Sequence, residues 1–259
     1  MRFDVITLFP EMFAPFLQAG VTRRAYSSGQ VQVQLWPLRD FTHDNYQRVD
    51  DRPFGGGPGM VMLAQPLREA IEAVRAQRDD AAPVVLFSPQ GEVLKHAVVQ
   101  RWANAAGAIL ICGRYEGVDQ RLIDAMVDVQ ISLGDFVLSG GEIAAMALID
   151  AVTRLQPGVL GDAQSHAQDS FNPALDGLLD CAHYTRPETW PGPQGPMAVP
   201  EVLLSGNHAR IAAHRRHESL AHTAAARPDV LQAVREQGGL SAADEAWLAA
   251  QTAPKESGA

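Results

Sequence analysis

Ala108-Ile109-Leu110-Ile111-Cys112-Gly113-Arg114-Tyr115-Glu116-Gly117-Val118-Asp119 is an apolar run that breaks into a polar loop bracketed by glycines. Five consecutive apolar residues without alternation read as a strand buried on both faces, and the glycines let the chain turn sharply beyond it. The arrangement recurs. Val84 to Ser88 leads into Ser88-Pro89-Gln90-Gly91, and Val127 to Ser132 leads into Leu133-Gly134-Asp135-Phe136-Val137-Leu138-Ser139-Gly140-Gly141-Glu142. Val5 to Phe9 and Val31 to Leu35 complete five expected strands. Segments of 3.6-residue periodicity lie between them: Leu67, Ala70, Ile71 and Val74 behind Pro66 at an expected first helical position, then Lys95 to Ala106, then Glu142 to Leu155. This alternation predicts an α/β fold, a parallel sheet with helices on both faces, over residues 1–160.

Composition supports a folded chain. Of 259 residues, 46% are hydrophobic and 20% charged, which leaves enough apolar surface for a core. The length suits one large domain and a smaller one. A formal net charge of −9 rules out holding nucleic acid by bulk charge, so any RNA contact must come from local patches. Cys112 and Cys181 stand alone, with no CxxC pairing, so neither a disulfide framework nor a zinc knuckle is expected. No secretory leader and no apolar run of membrane-spanning length are expected, and a cytoplasmic protein follows.

Past Gly158 the texture changes. Gly161 to Gly177 is polar and turn-rich and reads as a linker, residues 161–177. A small, mainly helical domain is expected over 178–250, with candidate helices Ala209 to His217 and Pro228 to Gln237. Arg186 to Pro200 carries five prolines, too many for a regular element on this reading. The tail after Ala253 reads as frayed.

In an open α/β sheet ligands bind beyond the carboxyl ends of the strands, which directs attention to the three glycine loops. Each alone could be a tight turn; together they favour a pocket lined by backbone amides and carbonyls. No strand is followed by GxGxxG, no GxxxxGK[ST] occurs, and the lysines are Lys95 and Lys255, so a dinucleotide or triphosphate site in its usual form is not expected. A fourth glycine cluster, Arg52-Pro53-Phe54-Gly55-Gly56-Gly57-Pro58-Gly59-Met60, reads as a loop or a lid.

Asp50 to Met62, Ser88 to Gly91, Cys112 to Asp119, Ser132 to Glu142, Pro157 to Gly161, Asp169 to Phe171 and Leu178 to Pro187, the last with His183-Tyr184-Thr185-Arg186-Pro187, closely resemble motifs of the bacterial tRNA guanine-N(1)-methyltransferase family. The resemblance spans about Met1 to Arg216. It implies a SPOUT-class fold, whose α/β domain ends in a deep trefoil knot around S-adenosylmethionine and is followed by a linker and a small helical domain. It also implies a homodimer with each active site shared between subunits, acting on the guanosine just 3′ of the tRNA anticodon.

Carried over residue by residue, Gly113, Leu133, Gly134, Asp135, Phe136, Val137 and Leu138 would hold the cofactor. Ser88, Pro89, Tyr115, Glu116, Gly117, Gly140 and Gly141 would complete the walls. Tyrosine is common in the family where this chain has Leu86 and Phe136. The resemblance places Asp169 as the general base and Arg154 as the partner of the guanine carbonyl. Those residue types suit the chemistry, because ring nitrogen 1 carries a proton at neutral pH and charge develops on the adjacent oxygen as the proton leaves. Without the resemblance, Asp169 is a solvated turn residue and Arg154 an ordinary charge at a helix C-terminus. The sulfonium already supplies an activated methyl group, so that step requires no metal. The family's reported magnesium dependence makes Glu116 a candidate for a nearby acidic role.

For the RNA, His208, Arg210, His214, Arg215, Arg216 and His217 form a basic strip that reads as a phosphate-binding or a solvated helix face, and the resemblance favours the first. His183 and Arg186 are candidates to shape the guanine pocket. The alternatives are a non-catalytic RNA-binding module of the same fold and a nucleotide-dependent oxidoreductase; the missing GxGxxG counts against the second.

Overall fold

The computed structural model describes residues 1–161 and 167–252. The chain divides into two compact units, residues 1–163 and 164–259.

The first unit runs β1 (Arg2–Thr7), α1 (Phe13–Gln18), α2 (Arg23–Ser27), β2 (Gln32–Pro37), β3 (Asp50–Asp51), β4 (Val61–Met62), α3 (Ala64–Ala76), β5 (Val84–Val93), α4 (His96–Ala103), β6 (Gly107–Ile111), α5 (Gln120–Met126), β7 (Val129–Ser132) and α6 (Glu142–Arg154). Five strands form one sheet in the order β2-β1-β6-β5-β7, with every pairing parallel. All five expected strands are in it. The unbroken apolar runs have a direct cause, since both faces are buried. Phe3, Val5, Val85, Leu110 and Ile131 pack against α4 and α6, while Ile6, Val84, Leu86, Ile109 and Ile111 pack against α3 and α5. Asp4 is the buried charge within β1. Its buried carboxylate accepts from Trp36 Nε1 (2.8 Å), Arg2 Nη2 (2.8 Å) and Arg78 Nη1 (2.5 Å), so it is paired and bonded as a buried charge must be.

Three local expectations change. Pro66 is the third residue of α3, not the first, since the helix opens at Ala64. β5 does not end at Ser88: the pairing with β7 is interrupted after Phe87 and resumes at Glu92, so Ser88 to Gly91 is a bulge inside a longer strand. Within Arg186 to Pro200, Thr189–Gly192 (β8) pairs antiparallel with Gly195–Ala198 (β9), and Pro191 faces Pro196. A two-stranded ribbon has only edges, where proline's missing N–H is tolerated.

The second unit continues with α7 (Glu201–Leu204), α8 (His208–Ala226), α9 (Pro228–Glu236) and α10 (Ala242–Thr252). Leu178, Leu220, Leu231, Val234 and Leu248 form its core. The α8 helix runs nine residues beyond the expected His217, and the Asn207 side chain caps it by accepting from Arg210 N–H (3.1 Å). Of the expected linker, 162–166 lie outside the described residues, as does the tail from 253. The part from 167 onward is tied to the second unit: Phe171 N–H donates to Leu178 O (2.8 Å) and Asp180 N–H to Ser170 Oγ (2.9 Å). Among the described residues no helix is long and apolar enough to cross a membrane.

Candidate functional site

The neighbouring strands β6, β5 and β7 bring their three glycine-bearing loops to one end of the sheet. Those loops enclose a cavity of about 480 Å3. Ser88 and Pro89 line it from the bulge in β5, and Gly113, Tyr115, Glu116 and Gly117 from the loop after β6. Leu133, Phe136, Val137, Leu138, Gly140 and Gly141 line it from the loop after β7. Gly134 and Asp135 are outside the lining; Gly134 N–H instead closes a turn on Ser132 Oγ (3.1 Å). Leu86 is on the wall, and Phe136 and Val137 remain 54% and 86% exposed, so the cavity offers a ligand uncovered apolar surface beside backbone polar groups.

Close approach of two loops explains one glycine. Gly141 has an ordinary helical backbone (φ −78°), yet a Cβ there would lie 2.7 Å from Cys112 Cα, and its N–H donates to Gly113 O (2.9 Å). Glycine is needed for space, not for φ. The same loops are joined by charge. Arg114 Nε meets Glu142 Oε2 at 2.9 Å and Nη1 donates to Ser139 O (3.1 Å), while the Thr7 hydroxyl donates to Glu142 Oε1 (2.8 Å). Glu142 is fully buried at the first turn of α6, where the helix dipole also favours its charge. In the same loop as Arg114, Tyr115 holds φ +60°, and burial followed by the neighbouring Asp50 carboxylate raises its phenol above the usual range.

Arg154 closes α6 in the first unit, half-buried and engaged by neighbouring groups. Asp169 belongs to the second unit, half-buried and likewise engaged. Its carbonyl accepts from Asn172 N–H (3.1 Å), and Phe171 is held at φ +69°, a conformation rare for a bulky residue. Residues 1–233 match the family described as tRNA (guanine-1)-methyltransferase TrmD.

The chain belongs to the tRNA (guanine-1)-methyltransferase family.

The tRNA (guanine-N(1)-)-methyltransferase of Albidiferax ferrireducens is 65% identical over 97% of this chain and 100% of its own length. Those of Paracidovorax citrulli and Methylibium petroleiphilum are 64% and 58% identical over 96% of this chain, covering 98% and 97% of their own lengths.

In the strip expected to meet RNA, Arg210 and Arg215 are exposed, but two residues turn inward. Arg216 is bound to Asp244 and Asp176, each at 2.9 Å, and His217 stacks on Trp247 with ring centroids 4.6 Å apart. Arg186 is exposed, and its peptide bond to Pro187 is cis. His183 Nε2 lies 2.8 Å from Asp180 Oδ2.

Among the described residues Glu116 belongs to no cluster of three or more metal-ligating side chains, so the structure adds no support for magnesium there. Among the described residues, the group close enough to share an ion is Asp180, Cys181 and His183, whose thiol and imidazole suit softer metals. Sequence reasoning left out Arg114 and Glu142 as site residues, although Arg114 stands within the motif that decided the fold. It also left out Asp50, although the resemblance motif begins there. An acidic residue directly after Gly140-Gly141 at a helix start was the available signal for Glu142.

Proposed function

We propose that the protein transfers a methyl group from S-adenosylmethionine to ring nitrogen 1 of the guanosine just 3′ of the tRNA anticodon. The observation that carries the reading is the family match over residues 1–233 together with a cavity at the carboxyl end of the sheet. The donor set suits the cofactor. Gly113, Leu133, Phe136, Val137, Leu138, Gly140 and Gly141 would hold it, with Ser88, Pro89, Tyr115, Glu116 and Gly117 as walls and Gly134 and Asp135 shaping the turn beneath. When bound, the cofactor supplies a methyl group already activated on a sulfonium.

Asp169 takes the proton from ring nitrogen 1, so that the nitrogen lone pair is free to form the new bond. Arg154 donates to the adjacent carbonyl oxygen and stabilises the charge that develops there. His183 and Arg186 shape the guanine pocket, and Arg210 and Arg215 meet phosphate. The α/β unit is knotted around the cofactor, and the protein works as a homodimer with each active site shared between subunits.

Replacing the base separates binding from chemistry. Asp169→Asn is expected to keep S-adenosylmethionine affinity and lose about 10²–10⁴-fold in methyl transfer. The readout is the nucleoside composition of digested tRNA by mass spectrometry. Near-normal turnover would eliminate Asp169 as the base.

A further inference from the structure

The segment from Arg39 to Met62 has an inner half fixed on the first unit and an outer one that carries two exposed aromatic side chains. Val49 is buried, Leu63 N–H donates to its carbonyl (2.8 Å), and β3 pairs with β4. This small hairpin is laced to the cavity wall: Glu116 N–H donates to Met60 O (3.0 Å) and Met62 N–H to Gly117 O (2.9 Å). Gly59 lies so close to the Glu116 side chain that a Cβ there would collide with it. Beyond this anchorage the chain presents Phe54, 100% exposed, and Tyr46, 82% exposed. Between them stand the exposed Arg48 and Arg52, and the Arg48 guanidinium lies 6.0 Å from the Tyr46 ring centre.

On a loop anchored to the cavity wall, the exposed Phe54 ring and the Tyr46 ring, which carries the Arg48 guanidinium over one face, gain nothing from the core, and charge narrows what would cover them. Arg39, Arg48 and Arg52 are outnumbered by Asp40, Asp44, Asp50 and Asp51, so neither phosphate attraction nor an anionic lipid surface is favoured. A protein partner would need a contiguous apolar centre of several hundred Å2, and here two aromatic side chains are separated by ionic groups. Unpaired bases of the RNA substrate proposed above meet the requirement, because every base has a face to stack on an aromatic ring whatever its identity.

We propose that Phe54 and Tyr46 are substrate-positioning residues that stack unpaired RNA bases next to the base held at the cavity. The proposal rests on the function proposed above and adds to it a recognition surface on the donor-binding unit.

The test uses the full chain with Phe54→Ala, Tyr46→Ala and the rescue variant Phe54→Trp. Binding of an unmethylated anticodon stem-loop RNA is read by fluorescence anisotropy, separately from methyl transfer. Each alanine variant is expected to weaken RNA binding about five- to a hundred-fold and to raise KM for tRNA in step. S-adenosylmethionine affinity and kcat at saturating tRNA stay unchanged, the salt slope of binding stays that of the wild type, and Phe54→Trp restores affinity. Unchanged RNA affinity in both alanine variants overturns the proposal. So does a parallel loss of kcat and cofactor affinity, which would make the segment a wall of the donor site. A wild-type protein that binds the RNA without methylating it refutes the proposed function, while the same anisotropy comparison still decides the platform.

Discussion

Gly141→Ala tests whether the cavity depends on the contact between two loops. The backbone at Gly141 is helical, so alanine costs nothing in φ. The added methyl group would sit 2.7 Å from Cys112 Cα and 3.1 Å from Gly113 N, and both neighbours are backbone atoms that no rotamer change can move aside. Overpacking of this kind costs about 1–3 kcal/mol. In a unit of 163 residues that is a fall in Tm of about 2–12 °C. Where the strain is relieved by moving the loops apart, it appears as a roughly 5- to 150-fold loss in S-adenosylmethionine affinity.

Gly113→Ala is the matched control. Its methyl group would meet Leu86 Cδ1 at 3.6 Å and Val118 Cγ2 at 3.7 Å, which is ordinary contact, so Tm should hold and any loss should be confined to the ligand. Calorimetric melting and cofactor titration of both variants decide the matter. Gly141→Ala with wild-type Tm and wild-type affinity would refute the close-approach argument.

Other perturbations isolate other contacts. Glu142→Gln leaves Arg114 facing a neutral amide at a buried position, and a loss of about 3–5 kcal/mol is expected in denaturant unfolding; a loss below 1 kcal/mol would show the ion pair to be dispensable. The bond from Arg216, opposed in part by burial, holds Asp244 below the usual carboxylate range. Its folded pKa is depressed, so the stabilisation is present above the unfolded value near 3.9 and is lost as pH falls through the lower folded one. The gap in stability between wild type and Asp244→Asn should therefore be flat from about pH 5 to 8 and narrow only below about pH 4; narrowing at neutral pH would point to another group. Arg210→Ala with Arg215→Ala should weaken tRNA binding and flatten its salt slope by about one to two, whereas an unchanged slope would remove both from the RNA contact. Heterodimers of Arg154→Ala with Asp169→Asn should recover about half of the wild-type rate, or about a quarter in a randomly assorted equimolar mixture, if each site takes those two groups from different subunits, and none if it takes them from one.

The five strands were legible because a strand buried on both faces must be apolar throughout, and Ala108 to Cys112 admits no other economical reading. The ligand end of the sheet followed, since three of the clusters of glycines and polar groups come directly after apolar strand runs. Ser88 to Gly91 misled in one respect: Pro89 and Gly91 look like terminators, and only the partner β7 shows that pairing resumes at Glu92. The ribbon at Thr189 to Ala198 was hidden for a related reason, because proline argues against a central strand but not against two strands that are both edges. The inward turn of Arg216 and His217 was not legible either. Their partners, Asp244, Asp176 and Trp247, are distant in sequence, and α8 is rich in alanine, histidine and arginine with no clear apolar stripe to orient it. The Arg114–Glu142 pair spans 28 residues and depended on the same long-range information. Asp169 and Arg154 entered through the family motifs alone, since an aspartate in a turn and an arginine at a helix end are ordinary.

The division of groups between the two units bears on how the proposed reaction can work. Every residue lining the cavity belongs to the first unit, while Asp169 belongs to the second. A cradle for a sulfonium-bearing donor favours nearby negative charge, and a carboxylate held against that cation has its pKa lowered, which makes it a poorer base. The proton on ring nitrogen 1 must nevertheless leave before the nitrogen can accept a methyl group. In the proposed reaction, giving donor binding to Glu116 and the glycine loops, and proton removal to a carboxylate carried by the other unit, lets each group meet one requirement without weakening the other. Defects should then fall into two independent classes: changes in the cradle lower donor affinity, and changes at Asp169 lower the rate with the donor still bound. An Asp169 variant that lost donor affinity in proportion to its rate would place that carboxylate inside the cradle and undo the separation.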